Sequence, residues 1–203
     1  MRNKIYMVLI SAFIVSGCNS EDVQNNIDEI RGKDTKEPIS TISKESDEQL
    51  GLEAHNKVRA EVFAGLPLSW SDEIAVEAQN YANVLAQNGL FEHEDYDKYG
   101  ENLYASKNPT GEVITYAEAV QKWEVERQFY NYDNNDCSVS RDNTVVVDNL
   151  PYDTCGHYTQ IVWKSTSYIG CGKAQYKTGN LKDGYVIVCK YSTPGNYQGQ
   201  KPY

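Results

Sequence analysis

The stretch that decides the fold is "IGCGKAQYKTGNLKDGYVIVCKY", Ile169–Tyr191. Two runs of strand-like composition flank a segment that holds glycine, asparagine and aspartate, which predicts two antiparallel strands joined by a turn. Cys171 and Cys189 lie equally far from Asn180 at the centre of that turn. We therefore expect these two cysteines to form a disulfide across the hairpin.

The five cysteines of the chain are the next constraint. If Cys18 carries lipid, as argued below, the other four can pair in three ways. With Cys171 and Cys189 paired across the turn, Cys137 and Cys155 remain and close a second loop, worth about 3 kcal/mol in the chain-entropy model. Zinc binding by the same thiols is the alternative, but the chain has no C-x-x-C spacing. The pattern predicts two disulfides and an oxidising compartment.

The N-terminus has the features of an export signal. Arg2 and Lys4 come before the apolar run "IYMVLISAFIV", which is too short to span a bilayer comfortably. The run leads into "VSGC", residues 15–18, which resembles the bacterial lipobox, so we expect Cys18 to be acylated and to become the first mature residue. An ordinary signal peptide with an incidental cysteine is the alternative. Lipid on Cys18 would hold the protein on a membrane of the bacterial cell envelope, at the outer membrane or cell surface.

These features divide the chain into three segments. Residues 1–17 are predicted to be a lipoprotein signal peptide, residues 18–47 an acylated cysteine with a flexible tether, and residues 48–203 a single domain. The tether is inferred because residues 19–46 contain no aromatic side chain, mix charges of both signs and show no sustained hydrophobic period. The formal charge is −10, and loss of the signal makes it more negative, so nucleic acid is not an expected partner.

Three amphipathic helices are predicted within the domain. Apolar residues recur every four positions over residues 50–62, which indicates the first helix. A second helix is expected to start after the cap Ser71 and to end at Gly89. The third begins at Thr115, which together with Glu118 forms a capping box.

The strands and the connecting loop complete the predicted α/β domain. The runs "HYTQIVW", "IGCGKAQY" and "YVIVCKY" are predicted as three antiparallel strands layered against the helices. His157 would head one face of the first strand, because side chains alternate along a strand. Residues 88–106 show no clean period and are predicted to be a structured loop, in which Gly100 permits a turn that folds Glu101 back toward His93.

Glu126 is the one charged member of an otherwise apolar stripe on the third helix. It lies three residues after Trp123 and four before Tyr130, so it points where the aromatic rings point. Burying a carboxylate without a partner costs several kcal/mol, so Glu126 needs one. Its partner is either a lysine or arginine in a structural salt bridge, or another member of a functional site. Glu124 falls on a flanking face and is expected to be solvated.

Several ordered motifs resemble the CAP superfamily of cysteine-rich secretory proteins, insect venom antigen 5 and plant pathogenesis-related proteins. They are "FEH", "GENLY", the helical W-x-x-E, "CGHYTQIVW" and the closing "VIVCKYSTPGNYQGQKPY". The resemblance runs over about residues 52–203, and its closing third is most similar to the plant branch. It implies a three-layer α-β-α sandwich with a central antiparallel sheet. It also implies a central cleft that carries His93, Glu101, Glu126 and His157, the tetrad below.

The chain departs from the family pattern at several positions. Plant relatives usually have six cysteines, and the segment 138–154 is longer here than in those proteins. Lys190 and Thr193 replace the usual small polar residue and proline of the closing motif. We expect these departures to leave the tetrad untouched, although the long segment can reshape the cleft rim. His55 resembles a recurrent histidine of the first helix outside the tetrad and is expected to be structural.

Three functions are compatible with these residues. As a binding module, the domain would hold a lipid, a sterol-like molecule or another small amphipathic ligand, and the tetrad would bind a divalent cation such as zinc, magnesium or calcium. As a metal-dependent hydrolase, it would use a metal-bound water, but the chain has no H-E-x-x-H, and four protein ligands leave a tetrahedral ion no open position. As a surface interaction protein, it would act on envelope or host components. The sequence favours the binding module over an enzyme.

Overall fold

The computed structural model describes residues 45–62, 66–95, 98–107, 112–137, 146–147, 150–151 and 155–203. The chain divides into two units, Met1–Ser43 and Lys44–Tyr203, and every described residue belongs to the second. The predicted signal peptide, the acylated cysteine and almost all of the tether therefore lie outside the described residues. No helix in the described ranges is both long enough and apolar enough to cross a membrane.

A mixed arrangement of helices and strands builds the domain. In chain order the elements are α1 (Asp47–Ala60), β1 (Ser69–Trp70), α2 (Asp72–Asn88), β2 (Gly100–Ser106), α3 (Tyr116–Glu124), a 3₁₀ turn (Val125–Phe129), β3 (Val146–Val147), β4 (Leu150–Pro151), α4 (Gly156–Ile161), β5 (Tyr168–Gln175) and β6 (Tyr185–Ser192). One sheet has the strand order β1-β5-β6-β2, and β3 pairs with β4. The β5–β6 and β6–β2 pairs are antiparallel, while the short β1 runs parallel to β5.

The three predicted helices are confirmed, and the chemistry of their ends explains where they stop and start. The side chain of Ser71 caps α2 by accepting from the amide of Ile74, and Gly89 ends that helix in the left-handed region at φ 69°. Thr115 and Glu118 form the expected capping box at the start of α3. These local signals lie entirely within the helix ends, so sequence alone could locate them.

The sheet is covered by helices on both faces, as expected for an α-β-α sandwich. On one face, α2 packs against the sheet through a cluster that includes Ala78, Ala82, Leu85, Leu103 and Val188. On the other face, α1, α3 and α4 contribute to a larger cluster that includes Val58, Val120, Ile161, Ile187 and Tyr191. Apolar burial on two sides of one sheet is the main source of stability in such a domain.

The hairpin and both disulfides are confirmed. Strands β5 and β6 pair in register, with Cys171 directly opposite Cys189, and the two cysteines are bonded. Cys137 is bonded to Cys155, which fixes the residue that comes just before α4. Two disulfides indicate that the domain occupies an oxidising compartment.

Two predictions about secondary structure are wrong. The run "HYTQIVW" is not a strand, because residues 156–161 form the helix α4, and its residues are buried without the alternation of a strand. The stretch "GENLYAS" is not a loop, because it forms β2 and pairs with β6 along its whole length. In both places, contacts with residues distant in sequence override the local composition.

Candidate functional site

Glu126 and His157 form the first pair of the candidate site. Glu126 is 1% exposed, and its Oε1 lies 2.6 Å from Nδ1 of His157. Its Oε2 accepts from the backbone amides of His157 at 2.8 Å and Tyr158 at 3.2 Å. The buried carboxylate of Glu126 is therefore paired, as its position on the apolar stripe requires. Its partners are the ring of His157 and two backbone amides at the start of α4, not a lysine or arginine.

The W-x-x-E spacing explains how Trp123 and Glu126 both contact His157. Residues three apart are neighbours on one side of a helix, and Trp123 lies in the last turn of α3 while Glu126 lies in the 3₁₀ turn that directly follows it. Trp123 stacks on the imidazole of His157 with ring centroids 6.0 Å apart and an interplanar angle of 14°. The indole in turn donates to the carbonyl of Leu103 at 3.0 Å. Trp123 therefore covers one face of the His157 ring, and Glu126 binds its Nδ1.

The short helix α4 is held at both ends by residues from elsewhere in the chain. Asn102 of β2 donates to the carbonyl of His157 at 3.1 Å. The buried guanidinium of Arg59 donates to the carbonyls of Ile161 at 2.7 Å and Trp163 at 2.9 Å. A cation at the C-terminal carbonyls of a helix is favourable. These contacts keep His157 in place although its helix has only six residues.

A buried chain of hydrogen bonds links His55 to the backbone of His157. Nδ1 of His55 lies 2.7 Å from the carbonyl of Gly51, and because a carbonyl only accepts, this nitrogen carries the proton. Nε2 then accepts from the hydroxyl of Tyr191 at 2.8 Å. That hydroxyl accepts from Asn102 at 3.1 Å, the residue that also binds the carbonyl of His157. Burial lowers the pKa of His55 to about 4, so its expected structural role agrees with a neutral ring locked in one tautomer.

His93 and Glu101 form the second pair. Nδ1 of His93 lies 2.8 Å from Oε1 of Glu101, which also accepts from the amide of Glu94 at 3.1 Å. The hydrogen bond to Glu101 raises the pKa of His93, against a smaller opposing effect of burial. The side chain of His93 is 63% exposed, while that of Glu101 is 9% exposed. The predicted approach of these two residues is therefore present, although a strand rather than a loop carries Glu101.

Lys190 contacts this second pair, contrary to the expectation that the departures from the family pattern leave the tetrad untouched. It lies directly opposite Glu101 in the β2–β6 register. Its ammonium forms an ion pair with Glu94 and lies 3.6 Å from Oε2 of Glu101. Lys190 is thus part of the candidate site.

The two pairs flank one edge of the sheet. Neighbouring residues of a strand point to opposite faces, so Glu101 shares the face of Leu103, which packs with α2, while Asn102 points to the face that holds His157. Because Glu101 and Asn102 are consecutive at the start of the edge strand β2, both pairs lie close to the same end of that strand. Among the described residues, no three or more His, Cys, Asp or Glu side chains are grouped so that they could hold a metal ion. The carboxylates meet imidazoles in two separate pairs.

Two surface cavities are lined by residues other than the tetrad. One of about 520 Å³ is lined by Gln121, Glu124, Val125, Arg127 and Gln128. The other, of about 710 Å³, is lined by Asn83, Ala86, Gln87, Ala174, Gln175, Lys177 and Thr178. Neither lining includes a tetrad residue. The single open cleft that would hold all four tetrad residues stays a prediction.

Sequence reasoning missed three residues that support the site. Asn102 and Arg59 act through backbone carbonyls, which leave no mark in a sequence pattern. Lys190 carried a signal, because a lysine in an otherwise apolar strand of the type "VIVCKY" requires a buried acidic partner. Glu126 stands out on the apolar stripe of its helix for the same physical reason.

Comparisons with known proteins agree with this architecture. The sequence profile described as "Cysteine-rich secretory protein family" matches residues 52–191. The chain is 40% identical over 152 residues to "Pathogenesis-related protein 1A" of Nicotiana tabacum, which covers 75% of this chain and 78% of the relative.

Solved structures show the same fold. Schistosoma mansoni venom allergen-like protein 4 matches with a TM-score of 0.53 at 24% identity, over 79% of this chain and 95% of the other. A crystal structure of NaASP2 with Zn2+ matches with a TM-score of 0.52 at 24% identity, over 82% and 88%. From the profile match and the identity to the tobacco protein, the chain belongs to the cysteine-rich secretory protein (CAP) family.

Proposed function

We propose that this CAP domain binds one divalent cation through the imidazoles of His93 and His157, with Glu101 and Glu126 holding the two rings. The observation that carries the proposal is that each Nδ1 faces a glutamate oxygen, at 2.8 and 2.6 Å, which leaves each Nε2 for a ligand. Histidines that bind metals usually donate their other nitrogen to a carboxylate or carbonyl in this way.

The contacts of the carboxylates favour a supporting role for them. Both oxygens of Glu126 already accept hydrogen bonds from His157 and Tyr158, so direct coordination would break the cap of α4. Oε1 of Glu101 is likewise engaged by His93 and Glu94. Two imidazole ligands leave further coordination positions for an oxygen atom of a ligand, which four protein ligands on a tetrahedral ion would not. Imidazole nitrogen suits zinc better than magnesium or calcium, and zinc is the ion present with the fold relative NaASP2.

Calorimetry with zinc, magnesium and calcium tests this proposal. We expect zinc to bind wild-type protein, His93→Ala and His157→Ala to lose detectable binding, and Glu126→Gln to weaken it by about 10- to 100-fold, as for other residues that orient a metal ligand. Affinity should fall as the pH is lowered, because protons compete with the ion for the same imidazole nitrogens. Glu124→Gln is the matched control, since Glu124 lies two residues away and should leave binding unchanged. If wild type takes up none of the three ions, the proposal fails.

We also propose that Cys18 is acylated and anchors the exported domain to a membrane of the cell envelope. The support is the "VSGC" sequence after an apolar run and the oxidising environment that two disulfides require. Cys18→Ala should move the protein from the membrane fraction to the soluble fraction. A wild-type protein that is wholly soluble, with its mature N-terminus at another residue, would remove the anchor.

The remaining functional expectations stay predictions from the sequence. A lipid or sterol-like ligand, a hydrolase reaction and an envelope or host partner are each compatible with the family. No contact among the described residues favours one of the three over the others.

A further inference from the structure

We infer that Lys190 is a built-in cation that weakens divalent cation binding at the His93–Glu101 half of the site. This inference rests on the proposed function, because it names the residue that sets the affinity of the same site. It concerns a position at which this chain departs from the small polar residue of the family's closing motif.

The ammonium of Lys190 is enclosed by groups that favour a positive charge. Its side chain is only 3% exposed and pairs with Glu94 and Glu101. It also lies over the ring of Tyr81, 5.3 Å from the centroid, and 6.0 Å from that of Tyr99. Aromatic faces attract a cation, and more strongly where water is excluded. A buried ammonium is tolerated only with such partners, so Lys190 has a fixed place rather than a range of solvated positions.

Glu101 connects this ammonium to the proposed ligand His93. One carboxylate oxygen accepts from Nδ1 of His93, and the other faces Lys190 at 3.6 Å. That second oxygen is buried and makes no hydrogen bond to any residue that the structure describes, so it still has the capacity to favour added positive charge nearby. The side chain of Lys190 already supplies part of that charge from the opposite position on β6.

A divalent ion on Nε2 of His93 would therefore enter a place where the carboxylates are already neutralised. The negative charge of Glu94 and Glu101 would otherwise attract the ion, whereas the ammonium repels it. Replacing Lys190 with a neutral residue should accordingly tighten zinc binding by about tenfold or more.

The experiment compares wild type with Lys190→Asn, Lys190→Met and Lys190→Arg by calorimetry and by the zinc-dependent shift of the melting temperature. Asparagine is the kind of small polar residue that the family motif carries, so this variant is the one most compatible with the fold. Arginine keeps the charge and is the matched control. We expect both neutral variants to bind zinc about tenfold or more tightly than wild type, and Lys190→Arg to bind like wild type.

The outcomes separate this inference from the proposed function. Tighter zinc binding by the neutral variants than by wild type supports the inference. If the neutral variants bind zinc and wild type binds none, the inference is supported and the proposed function of the wild-type protein fails. Equal zinc affinity in wild type and the neutral variants overturns the inference and leaves the proposed function standing. If neither wild type nor any variant binds zinc, both are overturned. A Lys190→Met protein that folds only in the presence of zinc would also support the inference. Lys190→Asn then provides the affinity measurement on a folded neutral variant.

Discussion

Glu126 shows how one buried carboxylate can organise a site at the scale of single residues. It accepts from the ring and the amide of His157 and from the amide of Tyr158. Three donors from residues adjacent in sequence compensate for its removal from water. The same carboxylate therefore aligns an imidazole and caps a helix, and a loss of either contact would disturb the other.

His55 provides a test of the buried hydrogen-bond network through pH. Its pKa is about 4 in the folded protein and about 6.5 in an unfolded chain. Between these values the unfolded chain binds the extra proton, so the contribution of His55 to stability is complete above about pH 6.5 and is lost as the pH falls toward 4. We expect the unfolding free energy of wild type to drop by about 3 kcal/mol relative to that of His55→Gln over this range.

Urea unfolding of both proteins between pH 7 and pH 4 measures this difference. The raised pKa of His93 acts in the opposite direction, but it is common to both proteins and cancels in the comparison. A difference in stability between the two proteins that does not change with pH would show that His55 is not held neutral by burial.

At the scale of elements, two glycines set how closely α2 approaches the sheet. Gly170 and Gly172 alternate with Ile169 and Cys171 along β5, so both glycines point to the face covered by α2. A β-carbon on Gly172 would lie 2.3 Å from the backbone of Gln79, and one on Gly170 would lie 2.2 Å from the backbone of Ala75. The helix backbone occupies the volume that any larger side chain would need.

Gly172→Ala should therefore destabilise the domain by about 1–3 kcal/mol or more, the usual cost of forcing atoms into a packed core. Gly156→Ala in α4 is the matched control, because among the described residues its β-carbon would meet only the side-chain nitrogen of Asn196, at 3.9 Å. We expect that control to change the unfolding free energy by less than about 1 kcal/mol. Equal stabilities for the two variants, measured in urea, would mean that α2 does not pack this closely against β5.

At the scale of the whole molecule, local signals fixed some parts of the fold and not others. The three long helices and the β5–β6 hairpin were predictable, because caps, apolar periods and turn residues lie within each element. Helix α4 was not, because its ends are held by Glu126 and Arg59, which are far away in sequence. Its aromatic and β-branched residues favour a strand until those partners are present.

The candidate site was predictable to a similar extent. The tetrad followed from family motifs and from one carboxylate on an apolar stripe, and the structure places its members as two histidine–glutamate pairs. The contact of Lys190 with Glu101 could not be predicted, because it depends on the pairing of β2 with β6 and the sequence predicts a loop in place of β2. A loop at this position gives no pairing partner for Glu101, whereas the strand β2 places Lys190 directly opposite it.

An anomalous diffraction map at the zinc edge, from crystals of the protein grown with zinc, would locate the bound ion. We expect one strong peak about 2.0–2.1 Å from Nε2 of both His93 and His157, with Glu126 still bound to Nδ1 of His157 and Glu101 to that of His93. A zinc ion bound directly by the two carboxylates, or a peak at only one of the histidines, would contradict it.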